Sequence, residues 1–143
     1  MVVKTYRGAV GEVGGEQRIR LSTIKGMVGY RIIKLELIGV QPGAITQEST
    51  VKIFRSPATS IDSVINFTDS DLLAAGYYIN NNGAEYMTAT VIIFDREIFN
   101  QDIYISSYDD HGDVNVNYYL ELEVIPLNDA GAEYTTLKDM RKA

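Results

Sequence analysis

The chain has 143 residues, 45% hydrophobic and 22% charged, a size and composition that suit one domain with a core of its own. It has no cysteine and a single histidine, His111, which removes disulfides, thiol nucleophiles and cysteine–zinc sites and leaves any Ser-His-Asp apparatus one histidine to use. The net charge is −6, so phosphate backbones are repelled on average and nucleic acid is not an expected partner.

Period-two alternation dominates the chain and marks strands with one buried face. Val2 to Tyr6 is the first expected strand. Gly8 to Gly15 contains four glycines and reads as a flexible loop, so residues 1–15 form a candidate N-terminal arm. Gln17 to Ser22 alternates. Tyr30 to Leu37 alternates too, with Ile33, Leu35 and Leu37 on one face and Ile32, Lys34 and Glu36 on the other. Gln41-Pro42-Gly43 is a turn signal. Thr50 to Arg55 is a strand ended by Ser56-Pro57. Ser70 to Ala75 has a polar cap and Gly76 as its stop, the pattern of a short internal helix. Asn80 to Gly83 signals an Asn-Gly turn. Thr88 to Phe94 is an almost unbroken apolar run and reads as a central strand. Asp102 to Ser106 and Val116 to Val124 alternate, and Asp109 to Asp113 between them reads as a hairpin tip. Thr135 to Lys142 has a threonine cap and basic residues in its last turn, so residues 134–143 are expected to be a C-terminal helix and tail.

The expected fold class is therefore all-β: an antiparallel β-sandwich of jelly-roll type spanning residues 1–143, with the two short helices added. No run of eighteen apolar residues offers a membrane span. The start lacks the apolar core and small-residue cleavage site of a secretory signal.

Candidate chemistry is sparse. Asp109, Asp110 and Asp113 gather carboxylates around Gly112, but the spacing is not that of a calcium loop, and turn chemistry explains the residues equally. The glycines at 8–15 lack the Lys-Ser/Thr ending of a phosphate loop. Asn66-Phe67-Thr68 matches a glycosylation sequon, a triplet common by chance. Tyr77, Tyr78, Tyr104, Tyr108, Tyr118 and Tyr119 fall in or beside strands and divide between core and contact surface. Glu121 and Glu123 share a solvated strand face, so no carboxylate pair is split by environment for acid–base work. No cofactor is expected. Charge is uneven: residues 1–71 carry 9 basic and 7 acidic side chains, and residues 72–143 carry 4 and 12. That asymmetry allows head-to-tail attraction between copies.

The second half resembles small jelly-roll-like virion structural proteins of marine bacteriophages. The residues that carry the likeness are Ile65-Asn66-Phe67 with Leu72-Leu73-Ala74-Ala75, Ile92-Ile93-Phe94-Asp95, Ile98 to Ile105, Asn117 to Glu123, and Thr136 to Arg141. It covers residues 28–142 and leaves the glycine-rich start outside. The resemblance implies a virion protein on the capsid surface, most simply a head decoration or cement protein bound to the major capsid protein, and no catalytic residues. A homo-oligomer is expected, with a trimer as one candidate order. Alternatives are a head-fibre, tail or host-surface recognition module, or a single jelly-roll capsid protein. The residues expected to meet neighbours are Val2, Tyr6 and Arg7 at the start, Tyr108 beside the acidic turn, and Leu137, Met140 and Arg141 in the last helix.

Overall fold

Among the described residues, alternation in the sequence becomes eight strands and one helix: β1 (Val2–Val10), β2 (Glu16–Ile19), β3 (Val28–Gly39), β4 (Gln47–Phe54), β5 (Leu72–Asn80), β6 (Thr88–Phe94), β7 (Ile103–Asp109), β8 (Val116–Pro126) and α1 (Asp129–Met140). The computed structural model describes residues 1–11, 15–80, 88–110 and 114–140. All pairings are antiparallel. One sheet has the order β1-β8-β3 and the other β2-β7-β4-β5-β6. The pairs β1·β8, β2·β7 and β4·β5 are three of the four rungs that a jelly roll would have. The remaining rung would join β3 to β6. Here β6 pairs with β5 instead, and a cleft bordered by Ile33, Lys34, Thr90 and Phe94 lies between β3 and β6.

The core lies between the sheets. Val51, Ile53, Ile103 and Ile105 of one sheet meet Ile32, Leu35, Leu120 and Leu122 of the other. Gly76 is needed for the close approach of the layers: a Cβ there would stand 2.7 Å from Leu37 Cδ1. Tyr78 and Tyr118 are core residues, and the Tyr118 hydroxyl donates to Gln17 Oε1 at 3.0 Å. The inner face of the larger sheet turns polar toward the β5–β6 end of the sandwich, where Gln47, Ser49, Asn80 and Ser107 are all buried.

Several expectations are corrected. Residues 70–75 are not a helix. Asp69 makes a turn, its Oδ1 accepting from Asp71 N at 2.9 Å, and the chain then enters β5, paired on both sides. Two ladders outweigh a weak helix propensity. The candidate arm is largely β1, in unbroken register with β8 from Val2↔Val124 to Val10↔Val116, and Val10 is in the core. β6 is an edge strand and not a central one. β7 and β8 belong to different sheets, so the Asp109–Asp113 segment joins sheets and is no hairpin tip; residues 111–113 lie outside the described residues. In β3 a bulge between Ile32 and Lys34 shifts the register. Tyr30 and Ile32 point inward before it, Leu35 and Leu37 after it, and Ile33 leaves the core face. The Pro42-Gly43 turn is as expected: Gly43 has φ 79°, and Ala44 N donates to Gln41 O at 3.1 Å. The turn expected at Asn80 to Gly83 falls mostly outside the described residues.

Asp102, just before β7, fixes the chain leaving β2. Its carboxylate accepts from Leu21 N at 2.7 Å, Ser22 N at 2.8 Å and Arg18 Nε at 2.7 Å. Burial alone would raise its pKa. The two amides and the guanidinium outweigh burial and hold it down at about 2. Asp102→Asn should therefore cost about 2 kcal/mol at neutral pH, read by urea unfolding. Because the folded value lies below the ordinary 3.8, this stability is present above that value and drains away as pH falls toward 2. The gap between wild type and variant should roughly halve by about pH 3. A gap that holds constant from pH 7 to pH 3 contradicts the assignment.

Candidate functional site

The chain leaves β8 at Pro126 and is tied back at once, Leu127 N donating to Met27 O at 2.9 Å. Asn128 then caps α1. Its Oδ1 accepts from Gly131 N at 2.6 Å and its carbonyl from Ala132 N at 2.7 Å, meeting donors that a helix start leaves unpaired. The helix thus begins at Asp129, earlier than the threonine cap suggested, and Thr135 sits inside it. Lys138 in the last turn suits the helix dipole.

The helix is attached through polar groups. Ala132, Thr135 and Asp139 are its buried positions, spaced to share one face. Arg55, just beyond β4, places its buried guanidinium against them. Nη1 donates to Asp139 Oδ1 at 2.7 Å, Nη2 pairs with Glu97, and Nε donates to Ser70 O at 3.2 Å. Asp139 Oδ2 accepts from Asn100 N at 2.8 Å. The Asn100 amide donates to Thr136 Oγ1 at 2.6 Å and to Gly26 O at 3.0 Å. Lys138 Nζ donates to Ile98 O at 2.9 Å. Burial pushes the Asp139 carboxyl above its ordinary pKa, against the pull of the Asn100 amide, Arg55 and Lys138. The attachment is specific in geometry, and the charge itself is held at a cost.

With its polar side inward, α1 turns apolar residues to solvent. Tyr134 is 66% exposed, Leu137 69% and Met140 59%. Such a stripe ordinarily faces the core. The same end of the sandwich carries other exposed apolar side chains: Met1 and Val2 at the start of β1, Ile24 in the turn closed by Gly26 N to Thr23 O, and Phe67 in the β4–β5 loop. A cleft of about 310 Å³ lies beside the helix. Phe67 and Ile93 form its apolar walls, and Asp95, Glu97 and Lys138 its polar rim.

The residues expected to meet neighbours are thus divided. Val2, Leu137 and Met140 lie at this pole, exposed. Arg7 is exposed and Tyr6 half-buried farther along β1. Tyr108 is exposed at the opposite pole. Arg141 lies outside the described residues, as does Asp113. Asp109 accepts from Ser49 Oγ at 3.0 Å, and Asp110 N donates to Glu48 O at 3.0 Å. Among the described residues no three His, Asp or Glu side chains converge as metal ligands would. That pole does hold a buried polar layer, in which Tyr78 Oη, Ser107 Oγ and Asn115 Oδ1 have no partner among the described residues. Groups of this kind are ordinarily met by internal water. Asn66 of the sequon triplet accepts from Thr68 N at 3.0 Å in an exposed turn.

Reading the sequence alone misses Arg55, Glu97, Asn100 and Asp139. The spacing of Tyr134, Leu137 and Met140 is visible in the chain, but not the side it faces, because the pairing of Arg55 with Asp139 spans 84 positions. No known protein family matches the chain, and no curated protein matches it in sequence.

Two variants separate attachment from surface. Asp139→Ala takes from the buried Arg55 its fully buried carboxylate partner, leaving only Glu97, and should cost about 3 kcal/mol, with amide exchange in α1 rising first. Serine at Tyr134, Leu137 and Met140 together should cost at most about 0.5 kcal/mol per site, since these side chains touch little. Thermal unfolding of both variants checks the contrast. A larger loss from the serines than from Asp139→Ala contradicts it.

Proposed function

We propose that the protein is a non-enzymatic virion structural subunit, a decoration or cement protein that lies on a phage head and grips the capsid protein through its helical pole. The supporting observation is the apolar stripe of α1 turned to solvent by a polar attachment. Exposed apolar surface gathered in one region marks an interaction site more often than it serves the isolated fold. The stripe lies beside further exposed apolar residues and a cleft, so a partner could bury a continuous surface there. That the partner is a capsid protein rests on the resemblance of residues 28–142 to phage virion proteins. Glu121 and Glu123 lie on the outward side of β8 and are given to other contacts, Glu121 to the Tyr119 hydroxyl and Glu123 to Arg31.

The test uses particles of the virus prepared without this protein. Purified wild-type protein should coat the heads in many copies, counted by gel densitometry and imaged by electron microscopy. The variant with serine at Tyr134, Leu137 and Met140 should fold normally yet bind at least roughly tenfold less, the cost of losing a few buried apolar side chains at an interface. Full occupancy by that variant rules out the helical grip. A few wild-type copies confined to tail or vertices would make the protein a recognition module instead. A shell built from this chain alone would make it the capsid protein.

A further inference from the structure

Thr88–Phe94 has the composition of an interior strand, with no charge, proline or glycine, yet it stands at the edge of the five-stranded sheet. Open edges are ordinarily guarded by charge, proline, a bulge or short length. The other three edges have such guards. β1 carries Lys4 and Arg7, β2 has four residues, and β3 has its bulge with Lys34 and Glu36 after it. β6 has none of these, and its ladder with β5 runs unbroken from Ala74↔Phe94 to Asn80↔Thr88. Among the described residues no strand hydrogen-bonds to its far side, and β3 lies across the cleft against its inner row. Its outward row is apolar and open, with Val91 57% and Ile93 51% exposed, while Ile92 and Phe94 pack against the core.

We propose that β6 pairs antiparallel with β6 of a second copy, about a two-fold axis at Val91, joining two five-stranded sheets into one. A two-fold contact asks for one self-complementary surface. An uncharged, β-branched strand meets that condition, since no like charges come opposite one another. Opposed residues in an antiparallel pair share a face, and an axis at Val91, the middle of the strand, pairs its whole length. Val91 then faces Val91 of the second copy, Thr90 faces Ile92, and Ala89 faces Ile93. The outward rows of both copies merge into one apolar stripe. The exposed helix residues Tyr134, Leu137 and Met140 and the β1 edge stay free, whereas Ile93 is shared with the cleft beside the helix; the pairing is tested on the isolated protein, apart from any capsid.

The chain has no cysteine, so an introduced thiol reports register directly. Opposed Cα atoms lie about 4.5–5.5 Å apart, within disulfide range. Val91→Cys should cross-link to a covalent dimer under mild oxidation. Ile93→Cys alone should not, because its two copies lie about 13 Å apart along the strands. The double variant Ala89→Cys with Ile93→Cys should cross-link again. By sedimentation, wild type should form dimers and Val91→Lys should weaken them at least tenfold without loss of folding. The proposal is overturned if wild type sediments as a monomer at every concentration up to about 100 μM, a concentration that would populate a dimer of micromolar affinity. It is overturned equally if Ile93→Cys cross-links as readily as Val91→Cys.

Discussion

The buried pair of Arg55 and Asp139 is the interaction around which this end of the molecule is organised. Arg55 follows β4, and its guanidinium reaches the β4–β5 loop at Ser70, the β6–β7 segment at Glu97, and the last turn of α1 at Asp139. Asn100 closes the circle by donating to the other oxygen of Asp139 and to Thr136. Burying two charges costs several kcal/mol each before their attraction is counted. An apolar helix face laid on the core would hold the helix with less expense. What the pair does instead is fix which side of the helix faces in. With Thr135 and Asp139 inward, Tyr134 and Leu137 have to face out.

A second constraint comes from the unequal sheets. Five strands face three, and Leu37 packs so closely on Gly76 that the layers touch at β5. β6 lies beyond that contact. Its inner side chains reach the core only at its margin, and the cleft beside β3 separates the two edges that a closed roll would join. The open edge of β6 therefore follows from the same packing that builds the core. The outward helix and the open strand are two unfinished surfaces, and the functional reading uses each for a different contact.

Much of the architecture is legible in the chain because a sandwich with one solvated face writes period two into its strands. β8 can be read almost residue by residue from Val116 to Val124, whereas β4 begins three residues before Thr50, at Gln47, and buries Thr50 and Lys52 on its other face. The errors lie where local chemistry points away from the tertiary answer. Leu72 to Gly76 looks like a capped helix, yet small residues are what β5 needs beneath Leu37. Ile33 continues an alternation that the bulge interrupts. Thr88 to Phe94 is as apolar as a central strand, and only the sheet order reveals the edge. Of the candidate surface, Leu137 and Met140 are visible as helical residues, but their orientation depends on Arg55, which is distant in sequence. The acidic turn at Asp109 is equally deceptive. Its first carboxylate is given to Ser49 and its second residue to a backbone contact with β4, so adjacency in sequence does not become convergence in space.

The claim that the helix shows its apolar side to solvent can be tested without any partner. In a chain with no other thiol, Leu137→Cys and Thr135→Cys can be made separately and their rates of alkylation compared under native conditions. The structure predicts that the thiol at 137 reacts close to the rate of a free thiol and that the one at 135 reacts only as the helix opens. Protection at 137 with free reaction at 135 would mean that the helix packs by its apolar face, and would contradict the account.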